Sequence, residues 1–160
     1  LSITELGSAT SELAQAQALT IDAEIVSIFL EEAVDILESA GQALQRWLND
    51  PESAAPLSSL QRDLHTLKGG ARMAEVGPVG DLAHELESLY EGLVDRRFSH
   101  SSALGVLLQQ SHDHLAVLLE QLQNHQPLSD PGTLIEAIQQ FRQSTGSTAE
   151  VIEAAAENDA

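Results

Sequence analysis

Leu57, Leu60, Leu64, Leu67, Ala71 and Ala74 recur at alternating steps of three and four, and this rhythm constrains the fold more than any other feature of the chain. Side chains spaced in this way share one face of an α-helix and need another apolar stripe to bury against. The rhythm returns in Val79, Leu82, Leu86, Leu89 and Leu93, and again in Leu104, Leu108, Ser111, Leu115, Leu118 and Leu122. A longer stripe runs from Val26 and Phe29 through Ala33, Ile36, Leu37, Ala40 and Leu44 to Trp47 and Leu48. Leu134, Ile135, Ile138 and Phe141 mark a shorter one, and no stretch alternates with the period of a strand. The spacing predicts an all-α chain, an antiparallel four-helix bundle with an additional C-terminal helix.

Punctuation residues place the ends. Thr20, with Asp22 and Glu24 behind it, suits the N-cap and first turn of helix one, and Asn49-Asp50-Pro51 stops that helix. Pro56 and Pro78 suit the first turns of helices two and three, the former running from about 56 to 74. Ser99 or Ser101 can cap the fourth helix, Asp130 the fifth, and Gln143 to Gly146 breaks the fifth. Ser147 and Glu150 fit a capping box for a short last helix. The expected organisation is a linker or frayed segment over 1–19, a bundle over 20–144, and an acidic C-terminal linker or tail over 145–160.

At 160 residues the chain can bury one good core. Without cysteine it can form neither a disulfide nor a thiolate metal site, which fits a reducing compartment such as the cytoplasm. Seven Lys plus Arg against twenty-five Asp plus Glu give a net charge of −18, which argues against nucleic acid and anionic membrane surfaces as partners. No apolar run approaches the roughly 18 residues that span a bilayer, and no signal peptide is visible. The chain starts at Leu1 and its one methionine is Met73, so the expectation is a chain that has lost its start or been cut from something longer.

Against that acidic background, Arg62, Lys68 and Arg72 stand three residues before, three after and seven after His65. Three of seven cations therefore flank one histidine, on a helix whose one acid is Asp63. His65 is turned about 100° from Leu64, which puts it at the edge of the apolar seam or outside it. Gly69 is four residues on and lies directly beside it. Each of Gly69 and Gly70 costs roughly 1 kcal/mol against alanine in a helix interior, yet the seam continues through Ala71 and Ala74, so the helix is expected to be continuous and Gly69 to open space around the imidazole. This cationic patch suits an anion held at His65, a phosphoryl group above all.

The turn over Glu75-Val76-Gly77-Pro78 is short, so helices two and three must be antiparallel neighbours. Counting about 16 Å back from the turn at 1.5 Å per residue brings Glu87 level with His65. His84, one turn nearer the loop, lies level with Gly69. Glu87 is then placed to accept a hydrogen bond from one ring nitrogen of His65, fixing the tautomer and leaving the other nitrogen as a nucleophile.

These residues carry a family likeness. His65-Thr66-Leu67-Lys68-Gly69-Gly70-Ala71 followed by Leu82-Ala83-His84-Glu85-Leu86-Glu87 resembles the histidine phosphotransfer (HPt) domain of CheA-type chemotaxis histidine kinases over roughly 20–125. The resemblance implies that His65 is the phosphoacceptor, that Lys68 and His84 assist or position the phosphoryl group, that Glu87 orients His65, and that Gly69 gives access. Gly70 and Arg62 belong to the same phosphoryl-supporting set. Arg72 departs from the family pattern, which commonly has a small residue there, and is expected either to add a phosphate contact or to narrow partner choice. It also implies partners: a histidine kinase catalytic domain that binds the ATP, and a response-regulator receiver whose aspartate and Mg²⁺ take the group. No cofactor belongs to the domain itself, which is expected to be a monomeric carrier and not a complete enzyme. Ile25 to Leu37 further resembles the opening helix of HPt domains in large multi-HPt kinases that control pilus motility.

Two other readings compete. His65, His84 and Glu87 are a possible zinc set, although there is no His-Glu-x-x-His and cations crowd the position. An unphosphorylated interaction bundle is the other. His112 and His114, two residues apart, face different sides of a helix and read as surface residues; His100 and His125 read as solvated, and Trp47 and Phe29 as core.

Overall fold

The computed structural model describes residues 3–144, with side chains from Asp22 onward. Four helices, α1 (Ile3–Asn49), α2 (Ala55–Met73), α3 (Gly77–Val94) and α4 (Ser102–Gln123), are followed by a fifth, α5, helical over 132–144. No strand occurs among the described residues. Helix α1 packs on α2, α2 on α3, α3 on α4 and α4 back on α1, which closes a four-membered ring around one core.

The apolar stripes meet where their spacing requires. Leu60, Leu64, Leu67, Leu82, Leu86 and Leu89 are almost wholly buried between α2 and α3, and Leu104, Leu108, Leu115 and Leu118 close the core from α4. From α1 come Phe29 and Trp47 with Ala33, Ala40 and Ala43 between them, small residues that let α1 lie close to its neighbours. Two glycines are needed for close approach. A Cβ on Gly70 would stand 3.2 Å from the Phe29 ring, so α1 rests on the α2 backbone there. A Cβ on Gly92 would clash with Phe98, whose ring lies over α3 and meets Phe141 of α5 edge-on at 5.7 Å. Helix α5 is further tied to α3 through Glu85, which accepts from Gln139 at 3.0 Å and pairs with Arg142 at 3.2 Å, while Ile138 is fully buried.

Three helices end alike. After α2 the Val76 amide donates to the Ala71 carbonyl and Glu75 to Arg72; after α3, Arg97 donates to Gly92 and Arg96 to Leu93; after α4, Gln126 donates to Gln121 and His125 to Leu122. This pairing is the Schellman motif, whose turning residue is left-handed. Here that residue is Glu75, Arg96 or His125, at φ of 59°, 61° and 54°, and never glycine. Ser101 caps α4, accepting from the Leu104 amide at 3.1 Å, and Asp130 accepts from Gly132 at 2.9 Å just before α5.

Two expected boundaries differ. Helix α1 does not start at Thr20 but passes through it from Ile3, so Thr20 is an interior residue and not an N-cap. Ala, Leu, Gln and Glu make up most of residues 3–19, with no proline, and these strong helix formers outweigh the capping signal. Helix α5 includes Gln143 and Ser144, where a break was expected; the rest of that break, and the capping box at Ser147, lie outside the described residues.

Candidate functional site

Helix α2 carries its leucine seam inward, which leaves His65 on the outer rim beside α3, its side chain 67% exposed. The three-residue turn Ala74–Val76 fixes the register of α3 against α2, and close packing holds the two helices together. A Cβ on Gly80 would be 3.6 Å from both Ala71 Cβ and Arg72 Cγ. That register brings Glu87 opposite His65, as the residue count predicts.

Glu87 holds two partners at once. Its Oε1 accepts from His65 Nδ1 at 2.7 Å, and its Oε2 pairs with Lys68 Nζ at 2.6 Å. The carboxylate and the ammonium are sheltered, with 14% and 16% of their side chains exposed, whereas the imidazole stands out in solvent. Partial burial pushes the Glu87 carboxyl up, but hydrogen bonds and charge from Lys68 and His65 outweigh it and hold the group below its ordinary range. Glu87 is therefore an anion that accepts from Nδ1–H. The tautomer so favoured leaves Nε2 unprotonated on the solvent side.

The remaining expected residues fall as follows. Gly69 has open space where its side chain would be, so nothing covers that flank of His65. Gly70 faces the other way, against Phe29, and its observed contact is packing between helices. Lys68, expected beside an anion, is engaged with Glu87 in the same cluster. Arg62, Arg72 and His84 are exposed and make no side-chain hydrogen bond or ion pair among the described residues. Thr66 Oγ1 donates to the Arg62 carbonyl at 3.0 Å, and Asp63 accepts from Ser39 Oγ at 2.9 Å, which ties α2 to α1. No three His, Asp or Glu side chains come together as metal ligands among the described residues, so His65, His84 and Glu87 do not form the zinc set considered above.

A polar pair that the spacing does not reveal lies in the core. His112 is buried, not on the surface as expected, and its Nε2 is 2.7 Å from Tyr90 Oη. His112 and Leu108, Leu115 and Leu119 share a face, so the buried stripe of α4 is wider than its central seam. Burial lowers the His112 pKa to about 4 and raises that of Tyr90. His114 is half-buried, with Nε2 enclosed and unpaired, so neither histidine of this pair is a surface residue. His100 is exposed and meets the Trp47 ring edge-on at 5.2 Å.

The family model for the Hpt domain matches residues 24–143. The chain is 28% identical over 122 residues to the chemotaxis protein CheA of Borreliella burgdorferi, a match covering 74% of the chain and 14% of that protein. It is 25% identical over 125 residues to the CheA of Treponema pallidum, covering 78% of the chain and 15% of the relative. The chain thus spans about a seventh of the length of the curated relatives it matches. Among solved structures, the phosphorylated P1 domain of CheA3 from R. sphaeroides, crystallised in complex with CheY6, superposes with a TM-score of 0.66 at 21% identity, covering 75% of this chain and 96% of that one.

Proposed function

The chain belongs to the Hpt domain family, and from that premise we propose that His65 accepts a phosphoryl group from an ATP-dependent histidine kinase domain and passes it to the aspartate of a response-regulator receiver. The observation that carries the reading is the Nδ1 bond from a sheltered Glu87 to an exposed imidazole. Nε2 then keeps its lone pair without needing a separate base. It attacks the terminal phosphorus of ATP, the N–P bond forms as the bond to the ADP oxygen breaks, and the ring becomes cationic. Glu87 stabilises that cation across Nδ1–H. In the second step the receiver's carboxylate oxygen displaces Nε2 from phosphorus and the neutral ring is restored.

Lys68 shares the Glu87 carboxylate with His65, and on this reading it neutralises charge on the transferred group; Arg62, Arg72 and His84, exposed on α2 and α3, supply further positive or donor groups. ATP and Mg²⁺ belong to the partner domains on this reading, which places the domain in the cytoplasm and makes it a carrier. The P1 domain that shares this fold was itself captured phosphorylated and bound to CheY6. The test is phosphorylation by a purified histidine kinase core: the native chain gains an acid-labile label, and His65→Gln gains none. Equal labelling of that variant would move the acceptor elsewhere.

A further inference from the structure

On the side of the ring opposite His65, α1 and α4 do not close completely. Between them runs an open groove of about 650 Å³, floored by Val26, Leu30, Val34 and Leu122. It continues past Val34 into a second hollow of about 320 Å³ lined by Leu37, Ala116 and Leu119. Val34 is 49% exposed on this floor. From Val26 to Glu38 the groove follows α1 for about 18 Å, the length of three turns or so of a helix laid alongside.

The formal charges on the rim are all negative, with the His125 ring also lining the first hollow. Glu31, Asp35, Glu38 and Glu120 border it, and none makes an ion pair or side-chain hydrogen bond among the described residues. No lysine or arginine lines either hollow. The cations are placed elsewhere, three of the seven around His65. An apolar floor between unpaired carboxylates matches a helix with leucine-like residues on one face and lysines or arginines flanking them. A second copy of the chain is a poor match, because it would bring the same acidic rim and a net charge of −18 against its own likeness.

We propose that the α1/α4 groove docks a cationic amphipathic helix of a partner protein. Since the α1/α4 seam lies on the side of the ring opposite the α2/α3 seam, an occupant there leaves His65 free. One partner can then be held while another reacts. This inference stands on the groove alone and does not depend on the phosphotransfer reading.

The test uses the 160-residue chain, labelled with ¹⁵N, and three synthetic peptides of about 18 residues. One is a leucine/lysine amphipathic helix, one has the same composition scrambled so that no apolar face forms, and one is a leucine/glutamate helix. The expected result is that the first peptide alone shifts amides along α1 and α4, and that Glu31→Lys combined with Val34→Lys weakens its Kd by about tenfold or more. Both positions are exposed, so the double variant should keep the native helical circular dichroism. Three results each overturn the proposal: equal affinity for the scrambled peptide, shifts centred on α2 and α3, or a concentration-dependent dimer abolished by Val34→Lys, which would make a second copy the occupant.

Discussion

Glu87 divides its two oxygens between an imidazole and an ammonium, and that division sets the chemistry available at His65. Glu87→Gln keeps the shape but loses the charge that favours a cationic ring. The initial rate of phosphorylation by a kinase core should fall about tenfold, or ~1.4 kcal/mol in the barrier, with the helical fold retained. The position of Glu87 was readable from the sequence, because a short turn and a fixed rise per residue leave little freedom in register. The engagement of Lys68 was not: spacing shows which side chains share a face, and a carboxylate on the next helix decides where the ammonium goes. His112 was misjudged for a related reason. It flanks the central seam of α4, and only the approach of Tyr90 from α3 makes that flank interior. Its titration has a definite consequence. The folded pKa is lowered to about 4, while the unfolded chain keeps the ordinary value of 6.5 and binds the proton first. Stability is therefore full above about pH 6.5 and falls as pH drops towards 4, by about 3 kcal/mol from this group. Glu87, whose folded pKa is also lowered, adds to the loss once pH falls below its unfolded value. Urea unfolding at pH 7 and pH 4.5 should show a large difference for the native chain and a smaller one for His112→Gln.

Among the elements, helix bodies were legible and some of their ends were not. Leucine spacing placed α2, α3 and α4, and proline placed two starts, because both signals are local. Helices α2, α3 and α4 stop at a left-handed residue that carries a side chain, so no glycine announces the stop. Each such residue bears a conformational cost of about 1–2 kcal/mol that glycine avoids. Glu75→Gly should therefore stabilise the chain by about 1 kcal/mol, less than the full cost because glycine also loosens the unfolded state. A rise of about 4 °C in Tm by circular dichroism would register it. Thr20 teaches the converse: a good capping residue does not start a helix when strong helix formers precede it.

For the whole molecule, net charge and its distribution count more than any single pair. A charge of −18 on a chain of this size repels itself, and the described ion pairs relieve little of it. Raising NaCl from 0.05 to 0.5 M shortens the screening distance to a few ångströms and should raise Tm by several degrees, in contrast to proteins whose charges are balanced. The reacting side of the bundle also has a shape. His65 stands proud of α2, held by Glu87 on one side and with open space at Gly69 beside it. On the proposed phosphotransfer reading, a convex donor of this kind cannot enclose its own cargo, so the cavity that excludes water during transfer has to come with whichever protein approaches.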